Sequence, residues 1–320
     1  MRDEERELNM SKPQIYAKAT IEEDKIKVKE NIGCDGIEIQ LLCEFLKGDE
    51  LGDYYYAKDI MDLDMLARHN ITVVHAPLFS YAGIADVNIE TLSDSYNFKL
   101  LDQVCYMADY IGKARNQTIL VIIHSEGNKE NFMLMNDGWK RILNAIGCML
   151  FKYPNIEFGL ENVPPLRKNK KEEALHLCNN WGFDNVEMVK NLCEQFNTRR
   201  IGTVFDVCHA EISRKIINLI SQEYGEYINP TDYTLEKYFE KNKPYIKLIH
   251  LSDTIGNGYG KGKHGMPFTK KSANDLYKYL DMIENNHISC PITLEVAETD
   301  YMVCNGYKET KQLVDEYYNF

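Results

Sequence analysis

Eight short runs of β-branched and other apolar residues recur along this 320-residue chain, near 13–17, 36–41, 71–75, 118–124, 156–161, 201–206, 246–251 and 291–296. They are continuously apolar rather than alternating, which suits strands covered on both faces. Between them lie segments with apolar residues at three- to four-residue spacing. These fall at about 55–69, 91–114, 131–152, 184–197, 209–222 with 232–241, 270–286 and 305–318. Regular alternation of strand and helix requires right-handed crossovers and a parallel sheet. Eight such units predict an α/β fold, a single (β/α)8 barrel. No Gly-, Ser- or Pro-rich linker divides the sequence, so residues 1–320 are expected to form one domain.

The apolar runs share a second property: they end on ionisable residues. The segments are GIEIQ (Glu38), ITVVHAP (His75), TILVIIHSE (His124, Glu126), IEFGLENVP (Glu161), GTVFDVCHAE (Asp206, His209), IKLIHLSD (His250, Asp253) and PITLEV (Glu295). In a parallel barrel the C-terminal strand ends converge, and an active site is expected there. Buried unpaired charge is costly, so this many ionisable groups at strand ends implies that something binds them. Glu161, Asp206, His250 and Glu295 combine three carboxylates with one imidazole. That donor set suits a catalytic Mn, Mg, Co, Fe or Zn ion. His75 and His124, from neighbouring strands, are placed to hold a second ion with Glu161 bridging. His209 follows Asp206 by one helical turn and is expected to meet substrate or, with His264, a third ion. Glu38 lies deeper in its strand and is grouped with the substrate-side residues, with a structural role open to it.

Two connections are long. VPPLRKNKKEEALHLCNNWGFDN follows Glu161, and DTIGNGYGKGKHGMPF follows the His250 strand. The second carries five glycines with Lys261 and Lys263, so its backbone can approach an anion closely. It is expected to close over substrate, with Lys261, Lys263 and His264 meeting an anionic or polyhydroxyl group.

Acidic residues outnumber basic ones, 49 to 37, giving a formal charge of −12. Such a surface does not attract nucleic acid or anionic membrane. No apolar run approaches the ~20 residues of a membrane span. The N-terminal MRDEERELNM has no apolar signal core. Nine cysteines without a CxxC spacing argue against a disulfide framework or a zinc knuckle. A cytoplasmic location is expected.

The ordered series HAP (His75), IIH (His124), LEN (Glu161), FDVCHA (Asp206, His209), IHLSD (His250), GKH (His264) and LEV (Glu295) resembles the xylose-isomerase-like TIM barrel superfamily. That group includes sugar and sugar-phosphate isomerases and epimerases, and also the abasic-site nuclease endonuclease IV. The likeness runs over about residues 33–300 and implies a divalent-metal enzyme with one to three ions. On the isomerase branch it implies Glu161, Asp206, His250 and Glu295 as ligands, with Glu161 and Glu295 as the acid/base pair acting through an enediolate. On the nuclease branch it implies three zinc ions. One would sit on His75, His124 and Glu161, one on Glu161, Asp206, His250 and Glu295, and one shared by His209 and His264. The nuclease pattern has an Asp two residues before its counterpart of His264, where this chain has Gly262. The leading expectation is an isomerase or epimerase of a small sugar or sugar phosphate. The alternative is an endonuclease IV-like zinc-dependent phosphodiester hydrolase, and nucleic acid is a partner only under that alternative. A homo-oligomer is compatible with both.

Overall fold

The computed structural model describes residues 12–42, 46–48, 54–56, 62–77, 95–125, 136–164, 185–224, 233–255 and 263–319. Its centre is a closed barrel of eight strands: β1 (Ile15–Ala19), β2 (Gly36–Gln40), β3 (Ile71–His75), β4 (Ile119–His124), β5 (Ile156–Glu161), β6 (Ile201–Asp206), β7 (Ile246–Leu251) and β8 (Ile292–Leu294). The order around the barrel is β1-β8-β7-β6-β5-β4-β3-β2, and every neighbouring pair is parallel. The helices are α1 (Glu23–Ile32), α2 (Leu63–Arg68), α3 (Ser95–Arg115), α4 (Asn136–Lys152), α5 (Val186–Phe196), α6 (Val207–Tyr224), α7 (Leu235–Asn242), α8 (Ala273–Asn285) and α9 (Asn305–Asn319).

Three local expectations change. The first strand begins at Ile15, not residue 13, because Pro13 has no N–H to give the ladder. Asp35 Oδ2 accepts the Ile15 N–H at 2.7 Å, and the strand then runs on to Ala19. Among the described residues of the 55–69 segment the helix is α2, which Asp62 caps by accepting the Met65 N–H at 2.8 Å. Tyr54–Tyr56 instead pairs antiparallel with Leu46–Gly48, as suits a run of tyrosines. Helix α1 was not foreseen, since EDKIKVKENI offers few apolar residues. It ends at Gly33, whose φ of 84° is the left-handed stop.

Two apolar layers hold the fold. The outer one lies between strands and helices and includes Ile37, Val74, Ile123, Leu160, Phe205 and Ile249. The inner one fills the lower barrel with Tyr16, Val73, Ile122, Val204 and Leu248. Two inward positions in that lower layer are glycines. A Cβ on Gly36 would lie 2.7 Å from the Tyr16 ring, and one on Gly159 would lie 2.5 Å from Val204 Cγ2.

Side chains two residues apart share a face of a strand. One step up from Tyr16, Gly36, Val73, Ile122, Gly159, Val204, Leu248 and Thr293 stand Lys18, Glu38, His75, His124, Glu161, Asp206, His250 and Glu295. Each strand therefore sends one ionisable residue into a single layer above the apolar plug. Among the described residues no helix is long and apolar enough to cross a membrane, and the cysteines are unpaired.

Candidate metal centre

Glu161 is the hinge of the layer. It is 1% exposed, and its two oxygens face different neighbours. Oε2 is 2.9 Å from His75 Nε2 and 3.9 Å from His124 Nε2. Oε1 is 3.2 Å from His209 Nδ1 and 3.5 Å from His250 Nδ1. The same His250 Nδ1 lies 2.8 Å from Glu295 Oε2. Three overlapping groups of donor atoms result, each within 4.8 Å internally: His75, His124 and Glu161; Glu161, Asp206, His250 and Glu295; and Asp206, His209 and His264.

Hydrogen bonds leave the donor atoms of several of these side chains unspent. His75 Nδ1 faces the Ala76 carbonyl at 2.9 Å, and Nε2 faces Glu161 Oε2 at 2.9 Å, where an ion would take the place of the proton between them. His250 Nε2 donates to Glu38 Oε2 at 2.9 Å, which leaves Nδ1 as the ring nitrogen facing Glu161 and Glu295. Glu38 itself is fully buried beside His250 and 3.4 Å from Lys18 Nζ. A carboxylate behind a ligating imidazole is a common way to fix its orientation.

Asp206 divides its two oxygens in the same manner. Oδ1 accepts the His209 N–H at 2.7 Å and so caps the first turn of α6. That cap sets the three-residue spacing of the FDVCH motif. Asn162 clamps the same corner: its Oδ1 accepts the Asp206 N–H at 2.8 Å and its Nδ2 donates to the Asp206 carbonyl at 2.9 Å. His209 Nδ1 donates to the Asn162 carbonyl at 2.8 Å.

What remains is a set of buried polar atoms without hydrogen-bond partners: His124 Nε2, Asp206 Oδ2, His250 Nδ1 and Glu295 Oε2. Orphaned buried atoms are rare in folded proteins. Here they converge, and their mixture of carboxylate and imidazole is what a divalent transition metal takes. The residues present fit such an ion.

Charge follows the same lines. Burial works against ionised Glu161, Glu295 and Glu38, yet the neighbouring cations outweigh it and hold all three below the usual carboxylate range. Burial likewise opposes protonation of His250, but Glu38, Glu161 and Glu295 raise it well above an ordinary histidine. His209 is raised to about 9, with Asp206 and Glu161 overriding burial. His124 goes the other way, to about 3, because burial dominates and Glu161 offsets only part of it. It is a neutral imidazole throughout the physiological range.

Lys18 was missed by the sequence reading. Its Nζ lies 2.6 Å from Glu295 Oε1 and 3.4 Å from Glu38 Oε1. Strand register places it directly opposite Glu38. A first strand running 13–17 stops short of residue 18, and a lysine was not sought among metal ligands. Asn162 was also missed, although it stands in the LEN motif.

At the barrel mouth, Asp253–Ile255 and Lys263–Met266 pair antiparallel. This ribbon carries His264 back over the barrel, where its ring stacks on His209 with centroids 4.6 Å apart. His264 is 41% exposed, and its Nε2 is 3.9 Å from Asp206 Oδ2. Lys263 belongs to the ribbon, whereas Lys261 lies outside the described residues. A cavity of about 410 Å³ opens beside the layer, lined by Lys18, Gln40, His264, Glu295, Leu41 and Tyr301 among others.

A family model described as xylose isomerase-like TIM barrel matches residues 26–316. No curated relative matches the chain in sequence. Among solved structures, an L-ribulose 3-epimerase superposes with a TM-score of 0.56 at 11% identity, over 96% of this chain and 95% of that one. The 3-keto-D-glucoside 4-epimerase of E. coli, in its apo form, gives 0.54 at 10% identity, over 95% and 100%. A D-allulose 3-epimerase from Methylomonas sp., in complex with D-allulose, gives 0.53 at 12% identity, over 96% of both chains. At these identities the likeness is one of fold.

Proposed function

The chain belongs to the xylose isomerase-like TIM barrel family, and from that premise we propose that it is a divalent-metal-dependent isomerase or epimerase of a small sugar or sugar phosphate. One observation carries the reading. Glu295 reaches the ligand layer with Oε2 while its side chain, 13% exposed, also lines the cavity. Glu161, Asp206, His250 and Glu295 would hold the ion. When bound, it supplies Lewis acidity, polarising a carbonyl and the neighbouring hydroxyl so that the C–H between them becomes acidic.

The chain's own residues supply the rest. A cavity near 410 Å³ is within the range that encloses a small ligand, and it is small for a bent duplex. Glu295, held below its usual pKa, is ionised at neutral pH and takes the proton on the cavity side. A shift of that proton between adjacent carbons on one face needs only this base. Epimerisation needs a second base on the opposite face. Glu161 fills that place only by releasing an imidazole, since its oxygens are divided between His75 and His124 on one side and His209 and His250 on the other. The neighbouring fold relatives are ketose and keto-sugar epimerases, which supports a sugar substrate.

The division of Glu161 specifically favours a second reading. A carboxylate that shares its oxygens between two ligand groups is suited to bridge two ions, as in a phosphoester hydrolase of the endonuclease IV kind. Two measurements separate the readings. Elemental analysis of purified protein should find about one Mn, Mg or Co per chain for the isomerase, against two or three Zn for the hydrolase. D-allulose or L-ribulose incubated with the protein in deuterated water should gain deuterium next to the carbonyl. No deuterium in any ketose tested, together with zinc-dependent nicking at abasic sites, would reverse the ranking.

A further inference from the structure

The ligand layer contains four carboxylates, Glu38, Glu161, Asp206 and Glu295. Among the described residues, Lys18 is the one lysine or arginine paired with any of them. It donates to Glu295 Oε1 at 2.6 Å and stands 3.4 Å from Glu38 Oε1, while the lysine itself forms part of the cavity wall. Its ammonium therefore sits on the oxygen of Glu295 that points away from His250. The other oxygen is the buried, unpartnered one.

We propose that Lys18 is a positioning residue for Glu295, occupying Oε1 so that this carboxylate cannot close both oxygens on an ion and keeps the freedom to act as a base. The inference rests on the metal-dependent isomerase reading and names a residue which that reading did not require. Carboxylates bind divalent ions through one oxygen or two. A glutamate gripped by two metal bonds is a poor base, because its charge is already spent. Lys18 blocks that outcome electrostatically and sterically at once. It also makes the layer a weaker metal site than its four carboxylates alone would be, since a fixed cation a few ångströms away repels the incoming ion.

This leads to an expectation opposite to that for a merely structural lysine. Losing a structural lysine should weaken the site or unfold it. Losing a positioning cation should tighten metal binding and slow proton abstraction. The test uses the full-length protein stripped of metal by chelation and titrated with Mn²⁺ alone, following bound metal and the melting temperature. Lys18→Met should bind Mn²⁺ about tenfold more tightly than wild type or better. Its metal-free melting temperature should drop, and the gain on adding Mn²⁺ should exceed that of wild type. Lys18→Arg, which keeps the charge, should stay near wild type in affinity. If Lys18→Met does not fold without metal, Lys18→Gln carries the same test, because it keeps N–H donors while losing the charge.

Deuterium uptake into D-allulose should fall about a hundredfold in the neutral variants at saturating Mn²⁺, in the range of a single acid–base contribution. Equal or weaker Mn²⁺ binding by both neutral variants would overturn the proposal. Wild-type protein that binds no Mn²⁺ would remove the metal reading, and the proposal with it. Wild-type protein that binds Mn²⁺ but exchanges no deuterium would count against the isomerase reading, and the affinity comparison would then decide on Lys18 alone.

Discussion

Gly159 sits two residues below Glu161 on β5, beside Val204 of the adjacent strand β6 inside the barrel, and adding one methyl group there should disturb both stability and site. A Cβ at this position would lie 2.5 Å from Val204 Cγ2 and 3.3 Å from Leu120 Cδ1. Leu120 is partly buried and can give way, but Val204 cannot: it is fully buried, and its branched Cβ restricts it to few rotamers. Gly159→Ala gains about 0.5–1 kcal/mol by removing backbone freedom from the unfolded chain. Overpacking a dense core costs about 1–3 kcal/mol. The second effect wins, for a net loss near 1–2 kcal/mol, or roughly 2–4 °C in melting temperature for a chain of this length. Val204→Ala alone should cost about 1–3 kcal/mol by leaving a cavity. The double variant should be more stable than the sum predicts, by at least about 1 kcal/mol, because the new methyl occupies the space that Val204 vacates. Guanidinium denaturation of the four proteins measures the cycle. Strict additivity, or a Gly159→Ala protein as stable as wild type, would show that Gly159 does not face Val204 inside the barrel. The inward register that lifts Glu161 into the ligand layer would then be wrong.

Other outcomes follow from the same geometry. Glu38→Gln keeps an acceptor for His250 Nε2 but removes its charge, so metal affinity measured against a competing chelator above pH 9 should fall about 10–100-fold; an unchanged affinity would leave Glu38 without an orienting role. Loading Zn²⁺ into metal-free protein at pH 7.5 should release protons, because ion and proton compete for His250 and His209. His209 is raised to about 9, so its proton is present below that pH and gone above it, and the release should shrink as pH rises through 9. Calorimetry in buffers of different ionisation enthalpy reads this directly, and a release that grows with pH would contradict it. At the opposite end of the barrel, Arg200 donates to the Leu150 carbonyl at 2.8 Å and the Ile156 carbonyl at 2.9 Å. Arg200→Lys cannot reproduce that fork and should cost about 1–3 kcal/mol while leaving metal affinity unaltered.

The barrel could be read from the sequence because its information is local. Continuous apolar runs such as TILVII and IEFGL announce strands covered on both faces, and helical spacing between them leaves a closed parallel sheet as the natural solution. The candidate ligands were legible for a related reason. His75, His124, Glu161, Asp206 and His250 all end such runs, and parallel strands bring their ends together whatever their distance in sequence. What the sequence could not determine is which atoms of those residues stay free. That Asn162 clamps the backbone of Asp206, or that His250 turns Nδ1 inward because Glu38 holds Nε2, depends on hydrogen bonds between residues 44 and 212 apart in sequence. Lys18 was decided at the same level. Its strand carries no run that marks residue 18 as an end, and only pairing with β2 sets it opposite Glu38 and beside Glu295. Local pattern fixes which face of a strand a residue occupies, but the partner across the barrel, and hence the charge it meets, exists only once the sheet has closed.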